Sequence, residues 1–207
     1  MKPILTPSEI FGNIDIYLFD QILKGTYANC NTVLDAGCGT GRNLHYFLEN
    51  GCQVFGVDKS PEAITHVQEL AARISESSQP ENFVVATVEN MPFPDEKFDL
   101  IISSAVLHFA QNLPHFESML FEIWRVLKPG GYVFCRLASD IGIESSISFI
   151  GNGRYILPDG SERFLVNQEM LLRLTKKLGG TLHEPIKTTN VESIRCMTTW
   201  CLQKNKD

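Results

Sequence analysis

The sequence predicts an α/β protein: a doubly wound, mainly parallel sheet with helices on both faces. Two observations carry that expectation. Short apolar runs alternate with amphipathic helical runs over residues 1–138, the signature of successive β–α–β units. The first apolar run, Thr32-Val33-Leu34-Asp35-Ala36, then leads into Gly37-Cys38-Gly39-Thr40-Gly41 and Arg42-Asn43. A glycine-rich strand-to-helix junction lets the backbone turn sharply and approach a ligand without a Cβ in the way. Open α/β sheets take their ligands at such crossings.

The elements follow in order. Thr6 or Ser8 can cap a first helix towards Leu23, closed by Gly25. Residues 32–36 form the first strand, and Gly41 to Asn50 the next helix. Residues 52–58 read as strand two. Ser60-Pro61-Glu62 opens a helix with Pro in its first turn, and Ile64, Val67, Ala71 and Ile74 keep one face apolar. Strands three and four are expected at 83–88 and 98–103, and a helix at 114–127, with Phe116, Met119, Leu120, Ile123 and Leu127 at helical spacing. Lys128-Pro129-Gly130-Gly131 turns that helix into strand five, 132–137. The pattern then changes. Residues 141–153 are aperiodic, 154–157 and 164–166 flank Pro158-Asp159-Gly160 as a hairpin, Asn167 caps a helix through Leu178, and β-rich runs fall near 181–187 and 194–203.

Composition narrows the function classes. The 207 residues are 43% hydrophobic and 20% charged, an ordinary globular balance. The net charge of −6 argues against a broad electrostatic grip on nucleic acid. The six cysteines show neither C-x-x-C pairing nor the Cys/His spacing of a zinc site, so buried, reduced thiols and no metal are expected. The N-terminus lacks the features of a signal peptide, and no apolar run is long enough to span a bilayer, so the expected location is the cytoplasm, with no membrane partner.

The spacing of the glycine turn bears on its ligand. A dinucleotide fingerprint is G-x-G-x-x-G, with pyrophosphate on the helix N-terminus. This turn is G-x-G-x-G, with Asp35 two residues before its first glycine. A fixed carboxylate there repels a pyrophosphate and suits a ligand with positive charge. S-adenosylmethionine, with its ammonium and sulfonium and no phosphate, meets that description; a generic nucleotide turn, or a turn with no ligand, stays open on this motif alone. Asp58, at the end of strand two, can accept from both hydroxyls of a ribose; it can equally cap the following helix.

Taken together, VLDAGCGTGRN, VFGVDKS, ENMPFPDEKFDLIISSAVLHF and EIWRVLKPGGYVF resemble, in order and spacing, the class I S-adenosylmethionine-dependent methyltransferases. The resemblance covers residues 30–138. Within the family the G-x-G-R-N run is similar to the small methyltransferases of the tellurite-resistance type. The resemblance implies a Rossmann-like, seven-stranded sheet with an antiparallel last strand. It implies one methyltransferase domain over 1–207: an N-terminal helical cap (1–29), a cofactor-binding core (30–138), and a hairpin or lid, a helix and the last two strands (139–207). It implies that Gly37, Gly39 and Gly41 pass beside the methionine part of the cofactor, with Cys38 and Asn43 also among the cofactor-binding residues. Asp35 would face its ammonium, Asp58 hold the ribose, and Lys59 and Ser60 lie along the adenine edge. Where the family usually places an acid for the adenine amino group, this chain has Thr87, so Val88 and Glu89 are expected to share the contact. Ser103 would reach the ligand through its backbone.

A sulfonium methyl is already activated, so the protein need only align a nucleophile behind it in a dry site. A general base is required only when the nucleophile must lose a proton. His108, just after strand four, is the leading base candidate, with Asp140 and Tyr155 behind it; a packing role is the alternative reading of His108. Arg42, at a helix start where the dipole disfavours a cation, can meet a cofactor carboxylate or an anionic substrate. Phe11, Tyr17 and Phe19, with Phe149, Arg154, Tyr155 and Arg163, are candidates for a lid that selects the acceptor. The expected activity is methyl transfer to a small molecule by a monomer or homodimer. The rival readings are a cofactor-binding protein without catalysis, methylation of a macromolecule, and an NAD-dependent oxidoreductase.

Overall fold

A computed structural model describes residues 6, 11–75 and 79–206. The main sheet has the lane order β3-β2-β1-β4-β5-β11-β10. Its parallel strands are β1 (Thr32–Ala36), β2 (Gln53–Asp58), β3 (Phe83–Val85), β4 (Phe98–Ser104) and β5 (Leu127–Ser139). β11 (Arg195–Lys204) lies antiparallel to β5. The edge lane is divided between β9 (Gly180–Leu182) and β10 (Lys187–Val191), which pair with opposite ends of β11. Pro185 falls in the gap; lacking an N–H, it cannot donate to a ladder. The sheet thus keeps the expected seven lanes, built from eight strands.

Helices cover both faces: α1 (Ile16–Leu23), α2 (His45–Glu49), α3 (Pro61–Ile74), α4 (Leu113–Val126) and α5 (Gln168–Lys177). Strand alternation sorts the core into two layers. Leu34, Ile101 and Val133 point to one face and pack with Phe116, Leu120 and Ile123 of α4 and Leu171 and Leu174 of α5. Val33, Leu100, Ile102 and Phe134 point to the other and meet Leu18 of α1, Phe47 of α2 and Val67 of α3. Each large side chain removed from water in this way contributes about 1.5–3 kcal/mol. Ser60 caps α3, its Oγ accepting from the Ala63 amide at 3.2 Å, and Asn112 and Asn167 cap α4 and α5 in the same manner.

Four expectations about elements are corrected. α1 begins at Ile16, capped by Asp15, whose carboxylate accepts from the Tyr17 amide; the Ser8 cap lies outside the described residues. α2 starts at His45 rather than Gly41, so Arg42 and Asn43 sit in the turn before it, and the dipole argument for Arg42 no longer applies. β5 runs through Lys128-Pro129-Gly130-Gly131 as a bulge: the register jumps from Phe98↔Leu127 to Leu100↔Tyr132. The segment 141–153 is not all irregular. β6 (Ser148–Gly151) joins β7 (Arg154–Ile156) and β8 (Glu162–Phe164) in a small antiparallel sheet beside the Leu107–Phe109 turn. Its strands are short and its outer residues exposed, so no periodic pattern marked it.

Candidate active site

The chain leaves β1 for β2 and β3 on one side and returns to β4 on the other, so the strand order reverses between β1 and β4. Crevices at such switch points, outside the carboxyl ends of the strands, are where α/β sheets bind ligands. A cavity of about 350 Å³ opens there, lined by Gly37, Asp58, Lys59, Ala86 to Glu89, Ser104 to Val106, Phe109, Gln111, His115 and Met119. Its volume falls at the lower end of the small-molecule range.

The three glycines of the turn all have positive φ, and each answers a different constraint. A Cβ on Gly37 would sit 2.5 Å from Val106, and one on Gly41 2.7 Å from Val67 of α3, so both are required by packing. A Cβ on Gly39 would meet nothing within 4 Å, which leaves the outer side of the turn open. The amides of Gly37 and Cys38 both donate to the Val57 carbonyl, fastening the turn to β2. Cys38 is buried with its sulfur against Gly56, and burial pushes its thiol pKa up.

Asp35 is 1% exposed, and neither of its carboxylate oxygens has a hydrogen-bond partner. Burial raises its pKa to about 7, against the pull of the Arg42 charge and the smaller one of the neighbouring Asn43 side chain, and Asp58 raises it further. An orphaned buried carboxylate calls for an explanation, and a cationic ligand group supplies one. Asp58 lines the cavity. One of its oxygens accepts from the Gly39 amide and the other from the Ser60 amide, each at 2.9 Å, so it staples the glycine turn to the start of α3. Each oxygen keeps a further lone pair for a ligand hydroxyl. Lys59, Thr87, Val88 and Glu89 join it along one wall.

Asn43 is buried, but its Oδ1 accepts from the Asp15 amide at 3.0 Å. It holds the segment before α1, lies beside Asp35 and does not line the cavity. Asp15 is itself buried and receives the Ser104 hydroxyl at 3.0 Å, an Arg136 nitrogen at 3.0 Å and, more loosely, Arg42 at 3.7 Å. The Arg136 guanidinium stacks over Tyr17 of α1. Asp15→Ala is expected to lower stability by about 2–3 kcal/mol, less than the ~3–5 kcal/mol of a fully buried pair because both arginines reach solvent. Urea unfolding measures it.

Two expectations at the end of β4 change. Ser103, expected to reach the ligand through its backbone, is fully buried and not part of the cavity wall; Ser104, the next residue, is the one that lines the cavity. His108 is 4% exposed and does not line the cavity. Its Nδ1 accepts from the Ala138 amide at 3.2 Å, and burial together with the Arg163 charge pushes its pKa down to about 4. It is held as a neutral packing ring. Asp140 and Tyr155 do not line the cavity either. Besides Ser104, the side chains that do, and that the sequence did not single out, are Ala86, Ala105, Val106, Phe109, Gln111, His115 and Met119. Ala105 adopts φ +65°, a conformation invisible in sequence that turns the chain over the cavity.

Among the described residues no helix is long and apolar enough to cross a membrane. Residues 34–135 match the family model for a methyltransferase domain. Over 120 residues the chain is 39% identical to thiol S-methyltransferase TMT1B of Rattus norvegicus, a match covering 56% of this chain and 47% of that protein. It is 32% identical over 109 residues to malonyl-[acyl-carrier protein] O-methyltransferase of Enterobacter lignolyticus (strain SCF1), covering 52% of this chain and 39% of that one. The chain therefore spans less than half the length of each. In fold it is similar to a SAM-dependent methyltransferase from Methanosarcina mazei, with TM-score 0.73, 21% identity, and coverage of 90% and 98% of the two chains. With this lane order and this glycine turn at the switch point, residues 34–135 form a methyltransferase domain of the class I S-adenosylmethionine-dependent kind.

Proposed function

We propose that the protein transfers a methyl group from S-adenosylmethionine to a small-molecule acceptor. The observation that carries this reading is the pair of acids at the switch point. Asp35 is a buried carboxylate without a partner beside an open glycine turn, and Asp58 is a half-buried one facing the cavity. When bound, the cofactor supplies an activated methyl on a sulfonium. Asp35 takes its ammonium, which returns the carboxylate to its charged state. Asp58 accepts from the ribose hydroxyls while keeping its two backbone donors. Thr87, Val88 and Glu89 form the adenine wall, with Lys59 at its outer edge. Ser104, Ala105 and Val106 close the end of β4 over the reacting carbon and exclude water from it. Asp15 holds the N-terminal segment against this site through Asn43, Ser104 and Arg136, so residues 11–29 act as a cap on the core.

The apolar side chains outside the adenine wall, Val106, Phe109 and Met119, favour a small acceptor over a macromolecule. The relatives named above act on a thiol and on an acyl-carrier-bound malonyl group, which fits an acceptor chosen outside the shared core.

Calorimetry with S-adenosylmethionine and with NAD, followed by turnover to S-adenosylhomocysteine over a metabolite panel, tests the reading. Binding of the first and turnover are expected. Binding of NAD alone would overturn it, and cofactor binding without turnover of any acceptor would favour a non-catalytic role.

A further inference from the structure

Resting on the methyltransferase reading, we propose that the acceptor brings its own negative charge to the reaction, as an anionic oxygen or sulfur on a small apolar body. Arg163 selects it, and no protein base takes part.

The first ground is the state of the two histidines near the cavity. A neutral imidazole has one lone pair with which to take a proton. On His115 that lone pair is on Nδ1, which accepts from the Gln111 amide at 3.2 Å, so the ring proton sits on Nε2, 3.5 Å from a Glu89 oxygen. On His108 the Nδ1 lone pair accepts from the Ala138 amide. Both rings therefore present N–H, not a lone pair, at their other nitrogen. The remaining titratable groups that line or border the cavity are Asp58, Lys59, Glu89, Arg154 and Arg163, with Asp15 and Arg42 joined to Ser104 and Asp35 buried and given to the cofactor ammonium. Asp58 is engaged by two backbone amides and Glu89 faces His115.

The second ground is the charge at the mouth. β7 and β8 place two arginines against cavity-lining residues. Arg154 donates to the Gln111 side chain at 3.2 Å and is neutralised by Glu162 at 3.1 Å. Arg163 lies over the Phe109 ring, 4.9 Å from its centroid, and donates to the Glu162 backbone carbonyl at 2.7 Å. It has no ion-pair partner among the described residues. Its charge helps to hold the Asp159 carboxyl below the usual range, but no carboxylate of the described residues lies within ion-pair distance of it, and such a cation beside an apolar cavity draws in anions. The two arginines are not cross-strand partners, Arg163 pairing with Tyr155 and Arg154 with Phe164, so they do not form one clamp.

The chemistry closes without a base. The acceptor's anionic lone pair forms the new bond to the methyl carbon. The carbon–sulfur bond breaks with its electron pair staying on the sulfur. Anion and sulfonium give two neutral products, and no proton is released. A dry apolar wall favours a step in which charge disappears.

The test uses the whole chain and five probes: benzoate, thiophenol, benzyl mercaptan, phenol and benzyl alcohol. At pH 7 turnover is expected for benzoate or the thiols and not for benzyl alcohol, while phenol, ionised to about one part in a thousand, should turn over no faster than that fraction allows. The rate should follow the ionised fraction of each acceptor: flat above pH 6 for benzoate, rising tenfold per pH unit for benzyl mercaptan below its own pKa. Those two arms separate an oxygen from a sulfur nucleophile. In calorimetry on protein loaded with S-adenosylhomocysteine, Arg163→Gln should weaken anion binding about threefold to tenfold. Arg163→Lys should restore most of it, and affinity for S-adenosylmethionine should stay unchanged. A pH limb shared by all acceptors that disappears in His115→Asn would overturn the proposal, as would methylation of benzyl alcohol as fast as benzoate, or unaltered anion binding in Arg163→Gln. Cofactor binding with no turnover of any anion overturns this inference alone; absence of cofactor binding overturns the reading beneath it.

Discussion

Asp35→Asn is expected to stabilise the ligand-free protein at pH 8 while weakening its hold on S-adenosylmethionine. The carboxyl is fully enclosed, has no hydrogen-bond partner, and has its pKa raised to about 7. In the unfolded chain it titrates near the ordinary value of ~3.9. Between these values the folded state binds the proton and the unfolded state does not. Stability therefore falls as pH rises from about 4 to about 7 and levels off above that. Three units at about 1.4 kcal/mol each set the scale at roughly 4 kcal/mol, an upper figure because water entry relaxes such sites. An amide of the same shape carries no charge to desolvate. Urea unfolding at pH 5 and pH 8 without ligand should show a pH-dependent loss in the parent that the variant lacks. The cofactor should reverse the order. Its ammonium turns the costly carboxylate into half of an ion pair, so the parent gains more from ligand than the variant does. Binding at pH 6 should also release a fraction of a proton, seen by calorimetry in buffers of different ionisation enthalpy. A variant no more stable than the parent at pH 8, or one that binds the cofactor equally well, would remove Asp35 from the site.

Asp58→Ala is expected to cost twice. Its oxygens satisfy the Gly39 and Ser60 amides, and hydrogen bonds to a charged acceptor contribute about 1.5–3 kcal/mol each. With the site half-exposed, water takes up part of that, and a stability loss of about 1–3 kcal/mol is expected. The ribose contact is a separate loss, weakening S-adenosylmethionine by about 1–3 kcal/mol, or roughly fivefold to 150-fold. Adenine alone as the calorimetric ligand separates the two. Its affinity should fall less than that of adenosine if the ribose contact exists, and by the same factor if Asp58 only shapes the turn.

How far the sequence went is visible residue by residue. Local rules placed β1, β2 and α3 within a residue of their ends, because a glycine turn, an alternating strand and a Ser-Pro cap each act over a few positions. They also singled out Asp35 and Asp58, since both stand at strand ends whose direction the β–α–β alternation defines. Ser103 and Ser104 mark the limit. β4 is buried on both faces, so Phe-Asp-Leu-Ile-Ile-Ser-Ser offers no polar alternation to say which serine turns to the crevice. The structure selects Ser104.

The histidines divide on the same ground. His108 and His115 are equivalent as residues; which one borders the cavity depends on the Leu107–Phe109 turn and the start of α4, and on the Ala138 amide reaching His108 from β5. Asp15 was unreadable because its partners lie at 42, 104 and 136. The sequence by itself determined the alternation, the glycine turn and the acids beside it, because these express backbone sterics and short-range periodicity. Tertiary structure decided which groups are left without partners, which lone pairs are spent and where charge is uncompensated, because burial and electrostatics are sums over neighbours that the chain brings together only when it folds.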